Sequence, residues 1–255
     1  MKPSFFIDCF AENGLHRNAA CTVVAIDVIR ATSVAITAAA NGWRCFPVSS
    51  LPEAQRLAGR FSNALLMGEL AGETPASFEM NNSPAELEAR TDSYRPIVLL
   101  SSNGTKLIAE SKATAVTYLA CLRNFRAAAH QLMDTHERVA IIGAGSRGEF
   151  REEDQMCCAW IGELLLQHGY VAENSKTVEM VSKWSGAPAS ALISSKSVDY
   201  LRRTGQLHDL EYILNHIDDL RSAYVMDGDE VIEVDGTSLV SVTSMSAIPI
   251  PAKVA

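Results

Sequence analysis

The stretch that decides the fold is CTVVAIDVIRATSVAITAAANG, residues 21–42. It opens with a continuous apolar run over residues 22–26, a pattern typical of a strand that is buried on both faces. The run ends at Asp27, and Arg30 follows three residues later. A helix of small residues is predicted over residues 33–40, because Asn41 and Gly42 form a good helix stop. Asp27 and Arg30 therefore lie in a strand-to-helix loop, where α/β proteins bind ligands.

The same order of strand, polar loop and helix returns along the chain, with short apolar runs at residues 64–67, 97–100, 115–119 and 139–142. These repeats predict an α/β fold with a mixed, largely parallel sheet flanked by helices, and two similar lobes are a variant of that fold. Residues 223–234, AYVMDGDEVIEV, predict a β-hairpin with Asp227 and Gly228 in the turn. One domain is expected over residues 1–235, and the tail 236–255 is expected to be a strand or disordered.

Composition excludes several classes of function. The chain has 255 residues and a net charge of -8, which argues against nucleic-acid partners and against anionic membrane surfaces. It contains no apolar run near the ~20 residues of a membrane span, and its N-terminus does not resemble a signal peptide. A cytoplasmic protein is expected. The six cysteines have neither zinc nor disulfide spacing, so we expect small buried side chains.

The loops after the predicted strands share a chemistry. Small hydroxyl, amide and glycine residues at helix starts offer N–H and O–H donors to an anion. Arginines offer fork-shaped donors for phosphate, carboxylate or sulfonate, and the carboxylates offer oxygens to Mg²⁺. The candidate anion-binding residues are Ser102, Asn103, Gly104, Thr105, Arg123, Gly145 and Arg147, and the candidate carboxylates are Asp27, Glu69, Glu153 and Asp154. Together they predict metal-assisted phosphoryl chemistry.

The segment GAGSRG, residues 143–148, offers a different interpretation because it matches the dinucleotide-binding pattern G-x-G-x-x-G. Acidic residues at 149 and 152–154 would repel a pyrophosphate, and no good strand ending in an acid follows about 20 residues later. A nicotinamide-dependent dehydrogenase is therefore the enzyme alternative. A non-catalytic anion-binding regulatory module is the alternative outside enzymes.

Five motifs in order resemble a known family. They are IDVIRATS at 26–33, GEL at 68–70 with a following glycine, NNSP at 81–84, SSNGT at 101–105 and GAGSRGEFREED at 143–154 with a cysteine soon after. Their order and spacing over residues 4–235 are similar to the ComB family of 2-phosphosulfolactate phosphatases. The resemblance implies an α/β fold and a Mg²⁺-dependent phosphatase. Its expected substrate is 2-phospho-3-sulfolactate, in coenzyme M synthesis, or a related small polyanionic phosphate ester.

The resemblance also implies roles for individual residues. Asp27 and Arg30 are the expected catalytic residues. Mg²⁺ would bridge Asp27, Glu69 and Asp154 to the phosphate, with Glu153 as a further metal candidate. Arg147 would bind phosphoryl, sulfonate or carboxylate oxygens. The attacking group is left open between metal-bound water, the first choice, and Asp27 as a covalent nucleophile. The expected partner is a small phosphate ester, and a homodimer is among the expected assemblies.

Overall fold

The computed structural model describes residues 2–13, 21–112, 116–133 and 135–234. The tail 236–255 lies outside these residues, so its order stays a prediction. The strands are β1 Ser4–Cys9, β2 Thr22–Ile26, β3 Cys45–Val48, β4 Leu65–Gly68, β5 Ile97–Leu100, β6 Thr117–Ala120, β7 Arg138–Gly143, β8 Val171–Ala172, β9 Ala223–Asp227 and β10 Glu230–Val234.

Helices connect nearly all of these strands. They are α1 Phe10–Asn13, α2 Ala31–Ala40, α3 Leu51–Ala58, α4 Pro84–Glu88, α5 Gly104–Ser111, α6 Phe125–Leu132, α7 Glu152–Gln167, α8 Ser175–Trp184, α9 Lys196–Arg203 and α10 Leu207–Asn215. A 3₁₀ helix, Ala189–Ser194, precedes α9. Within the described ranges, none of the helices combines the length and hydrophobicity that crossing a membrane requires.

The described strands form one sheet in the order β4-β5-β3-β10-β9-β6-β2-β7-β1-β8. Strands β4, β5 and β3 are mutually parallel, and so are β6, β2, β7, β1 and β8. The hairpin β9–β10 joins these two blocks through antiparallel pairings. The predicted mixed, largely parallel α/β sheet is confirmed. Because three antiparallel pairings separate β3 from β6, the two blocks run in opposite directions within one continuous sheet.

Strand β2 is buried on both faces, as the apolar run predicted. Val24 and Ile26 pack into the hydrophobic cluster beneath α6, α7 and α8. Val23 and Ala25 belong to the cluster on the opposite face, with α2 and α5. The alternation follows from the two-residue period of a strand. Burial on both faces fixes the end of β2, and therefore the position of Asp27.

Two serines cap the starts of helices, and one predicted turn is wrong by one residue. The side chains of Ser50 and Ser83 accept backbone N–H groups at the starts of α3 and α4. In the hairpin, Asp227 pairs with Glu230, so the two residues of the turn are Gly228 and Asp229. Cross-strand pairing thus extends to Asp227, which the sequence placed in the turn.

The loop that follows β5 in one block meets the loop that follows β2 in the other, although the two blocks run in opposite directions. Gly104, at the start of α5, approaches the β2 loop so closely that a Cβ atom there would lie 2.1 Å from Asp27 Oδ2. Only glycine allows this contact. The guanidinium of Arg30, in the β2 loop, also reaches the side chains that precede α4. A site built from both blocks is the result.

Candidate functional site

A cavity of about 880 Å³ opens where these loops meet. The loops after β2, β4, β5 and β7 contribute to its lining, and α9 supplies a further part. Its lining includes the acids Asp27, Glu69, Glu149, Glu153, Asp154 and Asp199, and the cations Arg30, Lys106, Arg147, Arg151, Lys196, Arg202 and Arg203. Acidic and basic side chains therefore share one concave site, the arrangement that a metal ion and an anion would need together.

Asp27 is held rigidly at the end of β2. Its backbone N–H donates to Thr32 Oγ1 at 2.9 Å, and its backbone oxygen accepts from the Thr32 N–H at 3.0 Å. Burial raises the pKa of the Asp27 carboxyl to about 7, against a bond from the Ala31 N–H that lowers it, and the charges of Glu69 and Glu153 add to the rise. The charge of Arg30 lowers the pKa of this carboxyl but does not offset the effect of its burial.

Glu153 and Asp154 lie beside Asp27, in the first turn of α7. They are 1% and 2% exposed. Asp154 accepts the Val28 N–H at 2.9 Å and the Gly145 N–H at 3.0 Å. Burial raises the pKa of Asp154, and the charges of Asp27 and Glu153 raise it further. Burial also raises the pKa of Glu153, against a hydrogen bond from Ser197.

One oxygen of this group is unsatisfied. Among the described residues, Glu153 Oε2 is buried and accepts no hydrogen bond. A buried carboxylate oxygen without a donor is costly, so such an atom calls for a partner. The charge of Glu153 raises the pKa of Asp27 and of Asp154, and the charge of Asp27 also raises that of Asp154. A positively charged group would offset these charges.

Glu69 closes a loop between β4 and β5. Its carboxylate accepts the Ser102 N–H at 2.7 Å, the Ser102 hydroxyl at 2.9 Å and the Gly72 N–H at 2.7 Å. These bonds tie the ends of two neighbouring strands together. Glu69 lines the cavity, but its carboxylate is engaged in hydrogen bonds that hold the two loops together.

The residues of the SSNGT segment have two roles: some line the cavity, and others hold the shape of the loop. Ser102 and Asn103 line the cavity. Thr105 is fully buried, and its hydroxyl accepts the Ser101 N–H at 2.8 Å and donates to the Ser101 oxygen at 2.9 Å. Thr105, predicted to bind substrate, thus shapes the loop. Gly104 lets the start of α5 approach Asp27.

Arg30 is a buried lining residue with specific partners. One terminal nitrogen donates to Asp209 of α10, and the other donates to Asn81 Oδ1 at 2.7 Å and Asn82 Oδ1 at 3.0 Å. Asn82 itself lines the cavity. Arg30 is therefore held at the site by the NNSP segment and by α10.

Arg123 corrects a sequence-based expectation. It follows β6, but it does not line the cavity. Its guanidinium donates to both oxygens of Asp219, to Thr37 Oγ1 at 2.9 Å and to the Tyr212 hydroxyl at 2.7 Å. These four bonds hold it between α2 and α10, so Arg123 stabilises the fold from a position outside the cavity.

The GAGSRG loop turns its donors inward. Gly145 has a φ of +61°, and a Cβ there would lie 2.5 Å from the Glu149 oxygen and 2.6 Å from Cys9 Sγ. Its N–H already donates to Asp154. Helix α7 begins only at Glu152, and a carboxylate occupies the amide that a pyrophosphate would use. The dinucleotide interpretation finds no support in this geometry.

Arg147, by contrast, faces the cavity and is exposed. In the described part of the chain, neither Arg147 nor Lys106 forms an ion pair with an acid. Arg151 and Lys196, also at the cavity, both pair with Glu149, at 2.8 Å and 2.7 Å. Arg203 of α9 also lines the cavity and forms no ion pair with an acid among the described residues, so three cations remain to receive an anion.

Sequence reasoning missed the contribution of α9 and α10. Residues of α9 line the cavity, and Tyr200 donates its hydroxyl to the Gly72 oxygen at 2.8 Å. Nothing local marks these helices as functional, because their polar faces resemble ordinary solvated faces. Lys106 and Arg151 could have been found, since each lies within a motif loop or next to one. The missed lining residues include Lys106, Arg151, Lys196, Ser197, Asp199, Tyr200, Arg202 and Arg203.

The acids at the cavity fit a hard divalent ion. No three His, Cys, Asp or Glu side chains within residues 2–13, 21–112, 116–133 and 135–234 are placed to ligate one ion by themselves. Mg²⁺ usually takes one or two carboxylates and completes its shell with water and phosphate oxygens. The Glu153 oxygen without a donor in the described part of the chain could serve as one such ligand. A bound cation would also offset the charges of Asp27 and Glu153, which raise the pKa of Asp154.

Comparison with known proteins agrees with the motifs. The family model described as 2-phosphosulpholactate phosphatase matches residues 9–222. A protein from Carboxydothermus hydrogenoformans, named probable 2-phosphosulfolactate phosphatase, is 31% identical over 215 residues, 83% of this chain and 90% of that protein. One from Pseudothermotoga lettingae with the same name is 37% identical over 139 residues, 54% of this chain and 59% of that protein.

Proposed function

Because this chain belongs to the 2-phosphosulpholactate phosphatase family, we propose that it hydrolyses 2-phospho-3-sulfolactate, or a closely related polyanionic phosphate ester, to the alcohol and inorganic phosphate. The relatives carry that activity in their names. The observation that carries the proposal is the cavity itself, where three buried carboxylates stand beside unpaired cations. That combination suits a phosphoryl group and the metal that accompanies it.

We propose Mg²⁺ as the cofactor. One or two carboxylates among Asp27, Glu153 and Asp154 would hold it, since the charges of Asp27 and Glu153 raise the pKa of Asp154 and one Glu153 oxygen has no donor among the described residues. When bound, Mg²⁺ would offset phosphoryl charge as a Lewis acid. Glu69 supports the same site by holding the β4 and β5 loops, and it is the less direct ligand because its oxygens already accept three bonds.

The chain's own residues would bind and orient the ester. Arg30 presents a guanidinium whose position is fixed by Asp209, Asn81 and Asn82. Asn103 lines the cavity at the start of α5, where backbone N–H groups favour an anion. These groups place the phosphorus for attack and stabilise charge that develops on its oxygens.

Hydrolysis requires an oxygen of water to bond to phosphorus while the bond from phosphorus to the ester oxygen breaks. The ester oxygen takes a proton and leaves as the alcohol, and phosphate retains the new oxygen. We favour direct attack by water. Asp27 as a covalent nucleophile is the second route, and a burst of alcohol release ahead of phosphate would reveal it.

The remaining cations suggest that the substrate has further anionic groups. Arg147 and Lys106 line the cavity without an acidic partner in the described residues, and Arg203 adds a third charge from α9. A phosphate already matched by a metal and by Arg30 does not need them all. A sulfonate or carboxylate on the same small molecule would use them, as 2-phospho-3-sulfolactate would.

The test is phosphate release by the purified protein from 2-phospho-3-sulfolactate, phospholactate and p-nitrophenyl phosphate, each with Mg²⁺ and with EDTA. Turnover that disappears in EDTA and returns with Mg²⁺ is expected. NAD binding, measured by calorimetry, tests the dehydrogenase alternative, and none is expected. Full activity in chelator would remove the metal from the proposal. Folded protein that hydrolyses none of the esters would overturn the function.

A further inference from the structure

Asp209 is the most completely enclosed acid next to the site, although no motif includes it. It lies in the first turn of α10 and is 0% exposed. One carboxylate oxygen accepts a hydrogen bond from Arg30. The other accepts the Ser83 hydroxyl and the Ala85 N–H, the latter at 3.3 Å. Asp209 thus connects α10, the start of α4 and the β2 loop.

The partners of Arg30 show what this connection does. A guanidinium has five N–H donors, and the contacts with Asp209, Asn81 and Asn82 use three of them. Both terminal nitrogens of Arg30 are therefore anchored. Two N–H donors of Arg30 remain free of these three partners, and Arg30 lines the cavity. The anchoring removes rotamer freedom that a long arginine otherwise loses only on binding.

We propose that Asp209 is a positioning residue, which holds the Arg30 guanidinium in the orientation that receives an anionic oxygen of the substrate. The inference rests on the proposed function and extends it to a residue outside the cavity. The two asparagines offer neutral oxygens, and Asp209 supplies the charged partner. A displacement of about 1 Å in such a group can cost on the order of a hundredfold in rate, so the orientation matters as much as the charge.

A purely structural role for Asp209 is the competing account. In that account, loss of the carboxylate would weaken the packing of α10 against α4 and lower activity only through stability. A double-mutant cycle separates the two, because residues that act through one another give effects that do not multiply. The proteins needed are wild type, Asp209→Asn, Arg30→Lys and the double variant.

Asp209→Asn is expected to lower kcat/KM for 2-phospho-3-sulfolactate roughly tenfold to a hundredfold, mainly through kcat. In the Arg30→Lys background, the same substitution should cost less than about threefold. Asp219→Asn is the matched control, since Asp219 also pairs with a buried arginine, Arg123, but outside the cavity. It should lower the melting temperature and leave kcat/KM within about twofold.

Ser83→Ala provides a milder variant if Asp209→Asn does not fold. It removes one donor to Asp209 and also a helix cap, so Ser50→Ala, which removes the cap of α3, is its control. Ser83→Ala should lower kcat/KM several-fold in the wild-type background and not with Arg30→Lys. Ser50→Ala should lower stability alone.

The same proteins are titrated with inorganic phosphate in the presence of Mg²⁺. This titration distinguishes a failure of the proposed function from a failure of the positioning role of Asp209. If wild type binds phosphate but hydrolyses no ester, the proposed function falls, and the phosphate affinities still judge the positioning role through the cycle. Losses that multiply in the double variant, in either readout, overturn the inference. So does a folded Asp209→Asn protein with wild-type kcat/KM, or a wild type that neither binds nor hydrolyses.

Discussion

Replacing Asp27 by asparagine should remove most of the turnover and stabilise the metal-free protein. Asp27, Glu153 and Asp154 are buried together, and none forms an ion pair with a Lys, Arg or His of the described residues. Asparagine keeps the shape and an oxygen that can accept the Ala31 N–H. Burial raises the pKa of Asp27 to about 7, so above that pH the substitution removes a buried charge that raises the pKa of Asp154. It also adds a donor beside Glu153 and Asp154. The folded protein therefore loses repulsion and keeps its packing.

The magnitude follows from the coupling of neighbouring charges. Interaction energies between contacting groups are about 0.5 to 3 kcal/mol, and we expect the upper part of that range, about 1 to 3 kcal/mol, because the groups are buried. For a domain of this size each kcal/mol raises the melting temperature by roughly 2 to 4 °C, which gives roughly 2 to 12 °C in EDTA. Activity should fall on the order of a hundredfold or more.

The assay is thermal unfolding of wild type and Asp27→Asn in EDTA and in Mg²⁺. Wild type should gain about 2.7 kcal/mol at a Mg²⁺ concentration a hundred times the dissociation constant, and the variant should gain much less. Asp8→Asn is the control, because the Asp8 carboxylate accepts from Lys176 and so is not an uncompensated charge. A variant that melts below wild type in EDTA, or gains equally from Mg²⁺, would refute the reasoning.

Four further outcomes are expected. Glu69→Gln should lower stability by about 1 to 3 kcal/mol in urea unfolding, and kcat/KM with it, because an amide nitrogen would face the donors that now bind the carboxylate; an unchanged unfolding midpoint would contradict this. Arg147→Ala should lower kcat/KM for 2-phospho-3-sulfolactate roughly ten- to a hundredfold and that for p-nitrophenyl phosphate less, whereas equal losses would mean that it serves the phosphate or the loop. Arg123→Met should cost roughly 1 to 3 kcal/mol of stability and leave the ratio of the two kcat/KM values unchanged, and a changed ratio would return it to the site. Burial lowers the pKa of His136, so below pH about 6.5 the unfolded chain takes up a proton before the folded protein does, and the free energy of unfolding should fall there. His136→Asn should flatten this pH dependence, measured by urea unfolding at pH 5.5 and 7.5. The control, His130→Asn at an exposed position, should leave the dependence as in wild type.

Much of the fold could be predicted because its signals are local. The run before Asp27 is apolar throughout, and the structure buries that strand on both faces. Ser83 and Pro84 start α4 as their chemistry requires. The direction of the two blocks could not be predicted, since it depends on the hairpin Ala223–Val234 pairing with distant strands on both sides.

The lining of the cavity was predictable where its polar residues directly follow a strand or start a helix. Asp27, Glu69 and Asp154 follow strands or start a helix, and all three line the cavity. Arg123 also follows a strand, but its side chain turns to Asp219, a partner 96 residues away. Asp209 carries no signal of its own, because an acid in a first helical turn is common and only the tertiary structure brings it to Arg30.

The most direct measurement of the central claim is the initial rate of phosphate release from 2-phospho-3-sulfolactate by the purified wild-type protein in Mg²⁺, with p-nitrophenyl phosphate at the same concentration beside it. The account predicts stoichiometric release of phosphate and alcohol, with kcat/KM at least tenfold higher for 2-phospho-3-sulfolactate, since the added anionic groups meet Arg147 and Lys106. Equal kcat/KM for both esters, or no release of phosphate from either by folded protein, would contradict it.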